Sequence, residues 1–262
     1  MPDLRSPIGI FDSGVGGLSV LVRVRALLPG EDIIYYADSA HFPYGDKTAD
    51  EIRDRSEAIT RELLARGAKL IVVACNTATS AAIACLREGF GVPFVGMEPA
   101  LKPAVERTKT GRVALLVTPP TASGEKLAAL IDRYGADARV ETVAAPWLAE
   151  RVEAGDLDGA GTREIVERYL APVRATGADV LALGCTHYAF LHPLIQELAG
   201  AGVEVIEPSG AVAQQVRRVL ERDGMLNGRS EGGSVLYLTS GDDAAFAALR
   251  QRLRRAGADI PE

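Results

Sequence analysis

Two cysteines stand at the ends of matching apolar runs. Leu70-Ile71-Val72-Val73-Ala74 leads into Cys75-Asn76-Thr77, and Val180-Leu181-Ala182-Leu183-Gly184 leads into Cys185-Thr186-His187. A helix N-terminus lowers a thiol's pKa from its free value of about 8.5, and the resulting thiolate serves as a base or a nucleophile. Two thiols in matching contexts suggest a pair facing each other across one substrate. His187, one of three histidines with His41 and His192, lies two residues from Cys185. A Cys–His nucleophile, as in an amidohydrolase or thiol protease, is therefore a competing reading, but it leaves Cys75 without a role. A metal centre would need paired C-x-x-C spacing, which three cysteines and three histidines do not supply here. Cys85, inside an alanine-rich stretch, reads as a small buried hydrophobe.

Asp12-Ser13-Gly14-Val15-Gly16-Gly17 is the other stretch suited to chemistry. A glycine-rich strand-to-helix turn suggests phosphate binding. Here the third position of the dinucleotide pattern is Ser19, and the Gly-Lys-Ser/Thr of a P-loop is absent. The turn can instead offer backbone N–H groups to a carboxylate, and Asp12 can hold an ammonium or orient a base. Ser13, Asn76, Thr77 and Thr186 are short hydrogen-bonding groups at strand ends, suited to helix capping or to carboxylate binding. Pro43-Tyr44-Gly45 is turn chemistry or a loop closing over a small ligand. His41 and His192 read as surface or structural residues.

The elements that must position these residues alternate strand and helix. Apolar runs of this kind read as interior parallel strands, whose carboxyl ends are where open α/β sheets bind ligands. Strands are expected at Ile8–Phe11, 32–38, 70–74, Val92–Met97, Arg112–Val117, Arg139–Ala144, 180–184, Val203–Ile206 and Val235–Leu238, with helices between them. Thr48 and Glu51 form a capping-box pattern that opens the helix running to about Arg66. Helices are also expected over 78–88, 147–154, 162–175 and 191–199. The fold class expected is α/β, with two similar lobes, each a mostly parallel sheet flanked by helices. Glu98-Pro99 marks the first crossing, giving one lobe of 1–97 plus 210–262 and a second of 98–209.

Composition narrows the function classes. The chain has 262 residues, 47% hydrophobic and 24% charged, with a formal net charge of −6. A dedicated nucleic-acid surface is not expected at that charge, with no basic cluster interleaved with aromatics. No apolar run approaches the roughly 18 residues of a membrane span, and the first residues carry no apolar signal region. Three cysteines are too few for a disulfide scaffold in a chain this long. They read as thiols of a cytoplasmic protein.

Four motifs together, Phe11-Asp12-Ser13-Gly14-Val15-Gly16-Gly17-Leu18, Pro43-Tyr44-Gly45, Ala74-Cys75-Asn76-Thr77-Ala78 and Gly184-Cys185-Thr186-His187-Tyr188, resemble the glutamate racemases of the aspartate/glutamate racemase superfamily, in order and spacing along nearly the whole chain. The resemblance implies two α/β lobes with the active site between them and a cytoplasmic enzyme that forms homodimers. It implies cofactor-independent interconversion of L- and D-glutamate for peptidoglycan synthesis, with no metal. The alternative within the superfamily is an aspartate racemase or another enzyme acting on a small dicarboxylic acid. By match to the motifs, Cys75 and Cys185 would be the catalytic acid/bases, assisted by Asp12 and His187. Substrate would be bound by Asp12, Ser13, Pro43, Tyr44, Gly45, Asn76, Thr77, Thr186 and His187. Glu153 occupies the place of a third assisting carboxylate. Its stretch, Ala145 to Glu153, has Ala145 for the family's cysteine and Glu150 for its second proline, so Glu150 is a competitor. Thr118-Pro119-Pro120-Thr121 stands in place of a Thr-x-Gly-Thr turn, with Thr121 implied to bind the α-carboxylate, and Ala189 replaces a common proline. A base on one face of Cα and an acid on the other is what racemisation requires.

Overall fold

Both apolar runs that end in cysteine are interior strands. The computed structural model describes residues 3–262. In chain order these form β1 (Ile8–Asp12), α1 (Leu18–Leu27), β2 (Ile33–Ala37), α2 (Ala49–Ala65), β3 (Leu70–Val73), α3 (Asn76–Gly89), β4 (Phe94–Gly96), α4 (Leu101–Arg107), β5 (Arg112–Val117), α5 (Pro119–Ala122) and α6 (Glu125–Tyr134). There follow β6 (Arg139–Ala144), α7 (Leu148–Glu153), α8 (Ala160–Thr176), β7 (Val180–Leu183), α9 (His192–Ala199), β8 (Glu204–Ile206), α10 (Ser209–Arg222), β9 (Val235–Thr239) and α11 (Asp243–Arg255). Contacts divide the chain into two units, one of residues up to Met97 with Ser209–Glu262, the other of Glu98–Pro208.

The first unit holds a five-stranded sheet in the order β4-β3-β1-β2-β9, parallel throughout. All residues of β1 and β3 are buried, as strands covered on both faces must be. Helices α2 and α3 pack together over an apolar cluster that includes Phe11, Ile59, Leu63, Ile71, Val73 and Leu86, while α1 packs with α10. From β1 the chain passes to β2 on one side, and from β3 to β4 on the other. The connections therefore diverge between β1 and β3, and the crevice at their carboxyl ends is the sheet's topological switch point.

The second unit repeats the device with four parallel strands in the order β6-β5-β7-β8. Here β5 leads outward to β6 and β7 outward to β8, so the switch point lies between β5 and β7. Its core joins Leu101, Ala104, Val113, Leu115, Leu127, Val180 and Ala182.

Local chemistry explains most boundaries. The capping box is present, with the Thr48 N–H donating to Glu51 Oε2 at 2.7 Å and the Glu51 N–H to Thr48 Oγ1 at 3.3 Å. Helix α3 starts at Asn76, two residues before the expected Ala78, because the Cys75 thiol accepts the Ala78 N–H at 3.4 Å and acts as the cap. Helix α4, not anticipated beside Glu98-Pro99, tolerates Pro103 because the proline sits in the first turn, where no intrahelical N–H bond is lost. Helix α5 is a further short addition, opening on Pro119 and Pro120 at its first positions.

Asp179, just before β7, ties the two central strands of the second unit at their amino ends. Its Oδ2 accepts the N–H groups of Lys109 at 2.7 Å and Thr110 at 3.1 Å, and its Oδ1 accepts the Thr108 and Thr110 hydroxyls. Burial alone would raise its pKa, but these donors hold it at about 2. A carboxylate shifted downward stabilises the fold fully above its unfolded value of about 3.9, and that contribution is lost as pH falls through the folded value. Asp179→Asn is expected to cost about 1–3 kcal/mol at pH 7, read from urea midpoints. The gap to wild type should narrow as pH falls from about 4 toward 2.

Candidate active site

In the first unit the candidates converge on the β1/β3 switch point. Asp12 ends β1 with a fully buried side chain. Its Oδ1 accepts the Ser13 N–H at 2.7 Å and the Ser13 hydroxyl at 3.3 Å, and its Oδ2 accepts the Gly17 N–H. The carboxylate thus moulds the turn into α1. Gly17 is required there: a Cβ would lie 2.8 Å from Asp12 Cβ and 3.0 Å from both Ala74 Cβ and the Tyr35 hydroxyl. That hydroxyl donates to the Gly14 carbonyl at 2.7 Å, bracing the turn from β2.

Cys75 follows β3 by two residues, 6% exposed, as the N-cap of α3. Helix N-termini stabilise negative charge, and Cys75 sits at that end of α3. Ser13 Oγ lies 4.0 Å from its sulfur. Asn76, beside it, is buried, and neither side-chain Nδ2 nor Oδ1 has a partner among the described residues. A buried amide left unpaired costs about 1–3 kcal/mol, which makes Asn76 a group suited to a polar ligand. Thr77 is half-buried one position further along.

The loop after β2 contributes Pro43, Tyr44 and Gly45, and its short turn of Tyr44–Asp46 packs against α3. Tyr44 is buried, and its hydroxyl donates to Asp38 Oδ2 at 2.7 Å. Burial, and then the adjacent Asp38 charge, push its pKa far up, so the phenol stays protonated. The sequence reading passed over Asp38 and Arg55. Asp38 follows β2 as Asp12 ends β1, and the Asp38 N–H donates to the Asp12 carbonyl at 2.9 Å. Arg55 on α2 clamps the carboxylate in a fork, Nη2 to Oδ1 at 2.7 Å and Nε to Oδ2 at 3.0 Å. Burial would raise the Asp38 pKa, but the donors Arg55, Tyr44 and Ser240 bring it below the ordinary value. A repeated acid at the carboxyl ends of successive strands was the available signal. His41, read as a surface or structural residue, has its Nδ1 3.0 Å from Asp38 Oδ1.

In the second unit the candidates gather at the carboxyl ends of β5, β6 and β7. Cys185 follows β7 by two residues, 7% exposed. Gly184 before it fits only without a side chain, since a Cβ would stand 2.5 Å from Val117 Cγ1. His187 is buried, its Nδ1 3.8 Å from the Cys185 sulfur and its Nε2 2.8 Å from Glu153 Oε1. A carboxylate on Nε2 orients the ring and leaves Nδ1 facing the thiol. The bond to His187 comes from Glu153, at the end of α7, rather than from the competing Glu150. Two tyrosines hold the segment leading into α7: Tyr188 donates to the Ala145 carbonyl at 2.7 Å and Tyr169 to the Pro146 carbonyl at 3.0 Å. Trp147, next in line, takes a left-handed conformation at φ 72°. Thr186 is buried beside Cys185, and Thr121 pairs with Thr118, their hydroxyls 2.9 Å apart. His192 has its Nε2 3.0 Å from the Val205 carbonyl, a structural placement.

Among the described residues, no group of three or more His, Cys, Asp or Glu side chains is arranged to hold a metal ion, and no helix is long and apolar enough to cross a membrane. All three cysteines are free thiols.

A family model described as Asp/Glu/Hydantoin racemase matches residues 18–216. The glutamate racemase of Herpetosiphon aurantiacus is 53% identical over 247 residues, spanning 94% of this chain and 97% of that protein. A crystal structure of a Bacillus anthracis glutamate racemase isoform superposes with a TM-score of 0.88 at 31% identity, covering 98% of this chain and 96% of the other. The Escherichia coli glutamate racemase, solved with L-glutamate and the activator UDP-MurNAc-Ala, superposes with a TM-score of 0.81 at 30% identity over 95% of both chains. With motifs, fold and near-full-length similarity in agreement, the chain belongs to the aspartate/glutamate racemase family, among its glutamate racemases, and is an isomerase.

Proposed function

We propose that the chain interconverts L- and D-glutamate without a cofactor, Cys75 and Cys185 acting as the two acid/bases, and so supplies D-glutamate for peptidoglycan in the cytoplasm. The observation that carries this reading is the matched placement of the thiols. Each stands two residues beyond an interior parallel strand, at the topological switch point of its own sheet. Glutamate as substrate is supported by the Escherichia coli relative, which was solved with L-glutamate.

The chemistry runs as a proton exchange at Cα. One cysteine, as thiolate, takes the α-proton, and the electron pair left on Cα delocalises into the α-carboxylate. The other, as thiol, delivers its proton to the opposite face. The enzyme is left with thiol and thiolate interchanged, ready for the other enantiomer. An α-proton beside a carboxylate is very weakly acidic, so donors must meet the charge developing on that group. The Ser13 hydroxyl, the Asn76 amide and the hydroxyls of Thr77, Thr121 and Thr186 have the chemistry for it. The His187–Glu153 pair assists Cys185, while Asp12, through Ser13, organises the surroundings of Cys75. The same reading carries the expectation of a homodimer.

The test is incubation with L-glutamate, D-glutamate or aspartate in deuterated water without added cofactor, following chirality and deuterium at Cα. Inversion of glutamate with one deuterium gained per inversion is expected, and turnover of aspartate but not glutamate would replace the substrate. Cys75→Ala and Cys185→Ala should each abolish racemisation in both directions, because one base cannot serve two faces; normal turnover by either variant refutes the two-base assignment. A second expectation separates the two acids of α7. Glu153→Gln should lower kcat/KM by about 10²-fold or less, and equally in both directions because the equilibrium constant of a racemisation is one. Glu150→Gln should stay within about twofold of wild type.

A further inference from the structure

We propose that Asp38 is a positioning residue for the substrate loop, fixing the backbone of Pro43-Tyr44-Gly45 and the seat of the Tyr44 ring through its buried carboxylate. This deepens the reading above and rests on those three residues contacting substrate.

The loop has little internal structure of its own. It consists of two three-residue turns, Ser39–His41 and Tyr44–Asp46. The backbone bonds that shape it are few: His41 N–H to the Asp38 carbonyl at 2.9 Å, Phe42 N–H to the Ser39 carbonyl at 3.4 Å and Lys47 N–H to the Tyr44 carbonyl at 3.2 Å. What holds it is side-chain chemistry centred on one carboxylate. Asp38 has no exposed side-chain surface and meets Tyr44 and His41 from the loop, Arg55 from α2 and Ser240 from the segment after β9. Ser240 Oγ also accepts the Ala40 N–H at 3.1 Å, a second tie on the same loop. A buried charge demands partners, and here satisfying that demand draws the loop down.

The consequence reaches Cys75. Tyr44 and Cys75 belong to one buried cluster with Ala78 and Ile52, and the Tyr44 turn packs on α3, whose first residue is Asn76. Releasing Tyr44 would loosen the packing against the end of α3 that bears both the thiol and the unpartnered amide. Asp38 itself has its oxygens engaged by Tyr44, His41 and Arg55, so its effect on substrate passes through the loop.

The experiment compares steady-state kinetics of wild type, Asp38→Asn, Arg55→Lys and Asp179→Asn with both enantiomers of glutamate. Asp38→Asn keeps the shape but removes the charge that the Arg55 fork and the Tyr44 hydroxyl share. It should raise KM about tenfold with kcat within about threefold. Arg55→Lys keeps the charge but loses the fork, and should give a smaller rise in the same direction. Asp179→Asn, a destabilised variant whose hydrogen bonds all lie within the other unit, should leave KM unchanged. A KM rise below about fivefold in folded Asp38→Asn, or a loss confined to kcat, overturns the proposal. Should Asp38→Asn fail to fold, an unchanged KM in Arg55→Lys overturns it equally. If wild type turns over glutamate and Cys75→Ala does not, the site reading stands whatever Asp38→Asn shows; if wild type does not turn over glutamate, the site reading is what has failed.

Discussion

A parallel strand buried on both faces can present polar chemistry only where it ends, and the candidate site is built on that constraint. In β1, β3 and β7 every residue is enclosed by neighbouring strands and helices. The polar chemistry stands at Asp12, the last residue of β1 and still paired with Ala37, at Ser13 just past it, and at Cys75-Asn76 and Cys185-Thr186 beyond the ends of β3 and β7. Strand order then decides which ends share a crevice. Because β1 and β3 send their helices in opposite directions, no connection covers the gap between their ends, and the same holds for β5 and β7. The thiols occupy corresponding places because the two sheets solve one topological problem in the same way.

The second requirement is the satisfaction of buried charge. Asp12 and Asp38 leave adjacent strands and both are sealed from water. They are stabilised differently. Asp12 receives backbone N–H groups and a hydroxyl from its own turn, which fixes a local shape. Asp38 receives a phenol and an imidazole from its own loop and a guanidinium from α2, which joins the loop to the helix. At the other end of this sheet Lys69 and Glu31 form a buried pair at 2.7 Å, with the Leu4 carbonyl and the Asn227 N–H as further partners. Removing one member of such a pair strands the other charge in the interior, so the amino end of the sheet is closed by two groups that depend on each other.

The two cysteines differ in what stands behind them. Cys75 has a helix N-terminus and a serine hydroxyl, fixed dipoles that respond to charge without moving a proton. Cys185 has an imidazole backed by a carboxylate, a pair that can itself take up or release a proton. Equal residue types thus sit in unequal surroundings, each thiol supported by different chemistry within its own unit.

Much of this was written in local sequence. Continuous apolar runs of four or five residues between turn signals pointed to interior strands, and the Thr48–Glu51 spacing encoded its capping box. The motifs around Asp12, Cys75 and Cys185 supplied the candidate residues, their roles implied by resemblance to a family. The short helices α4 and α5 escaped, since four to seven residues leave too little periodicity to read. The motif match put Glu153 forward with Glu150 as competitor, but the contact itself lay beyond the sequence: both fall on α7, and its docking against the turn after β7 brings Glu153 to His187. Asp38 and Arg55 meet across a loop and a helix, and His41 joins them from the loop. Sequence determined which chemistry was on offer at each strand end. Tertiary structure decided which distant side chains answer it, because a buried charge is satisfied by whatever the fold brings within about 3 Å, and spacing along the chain does not record that distance.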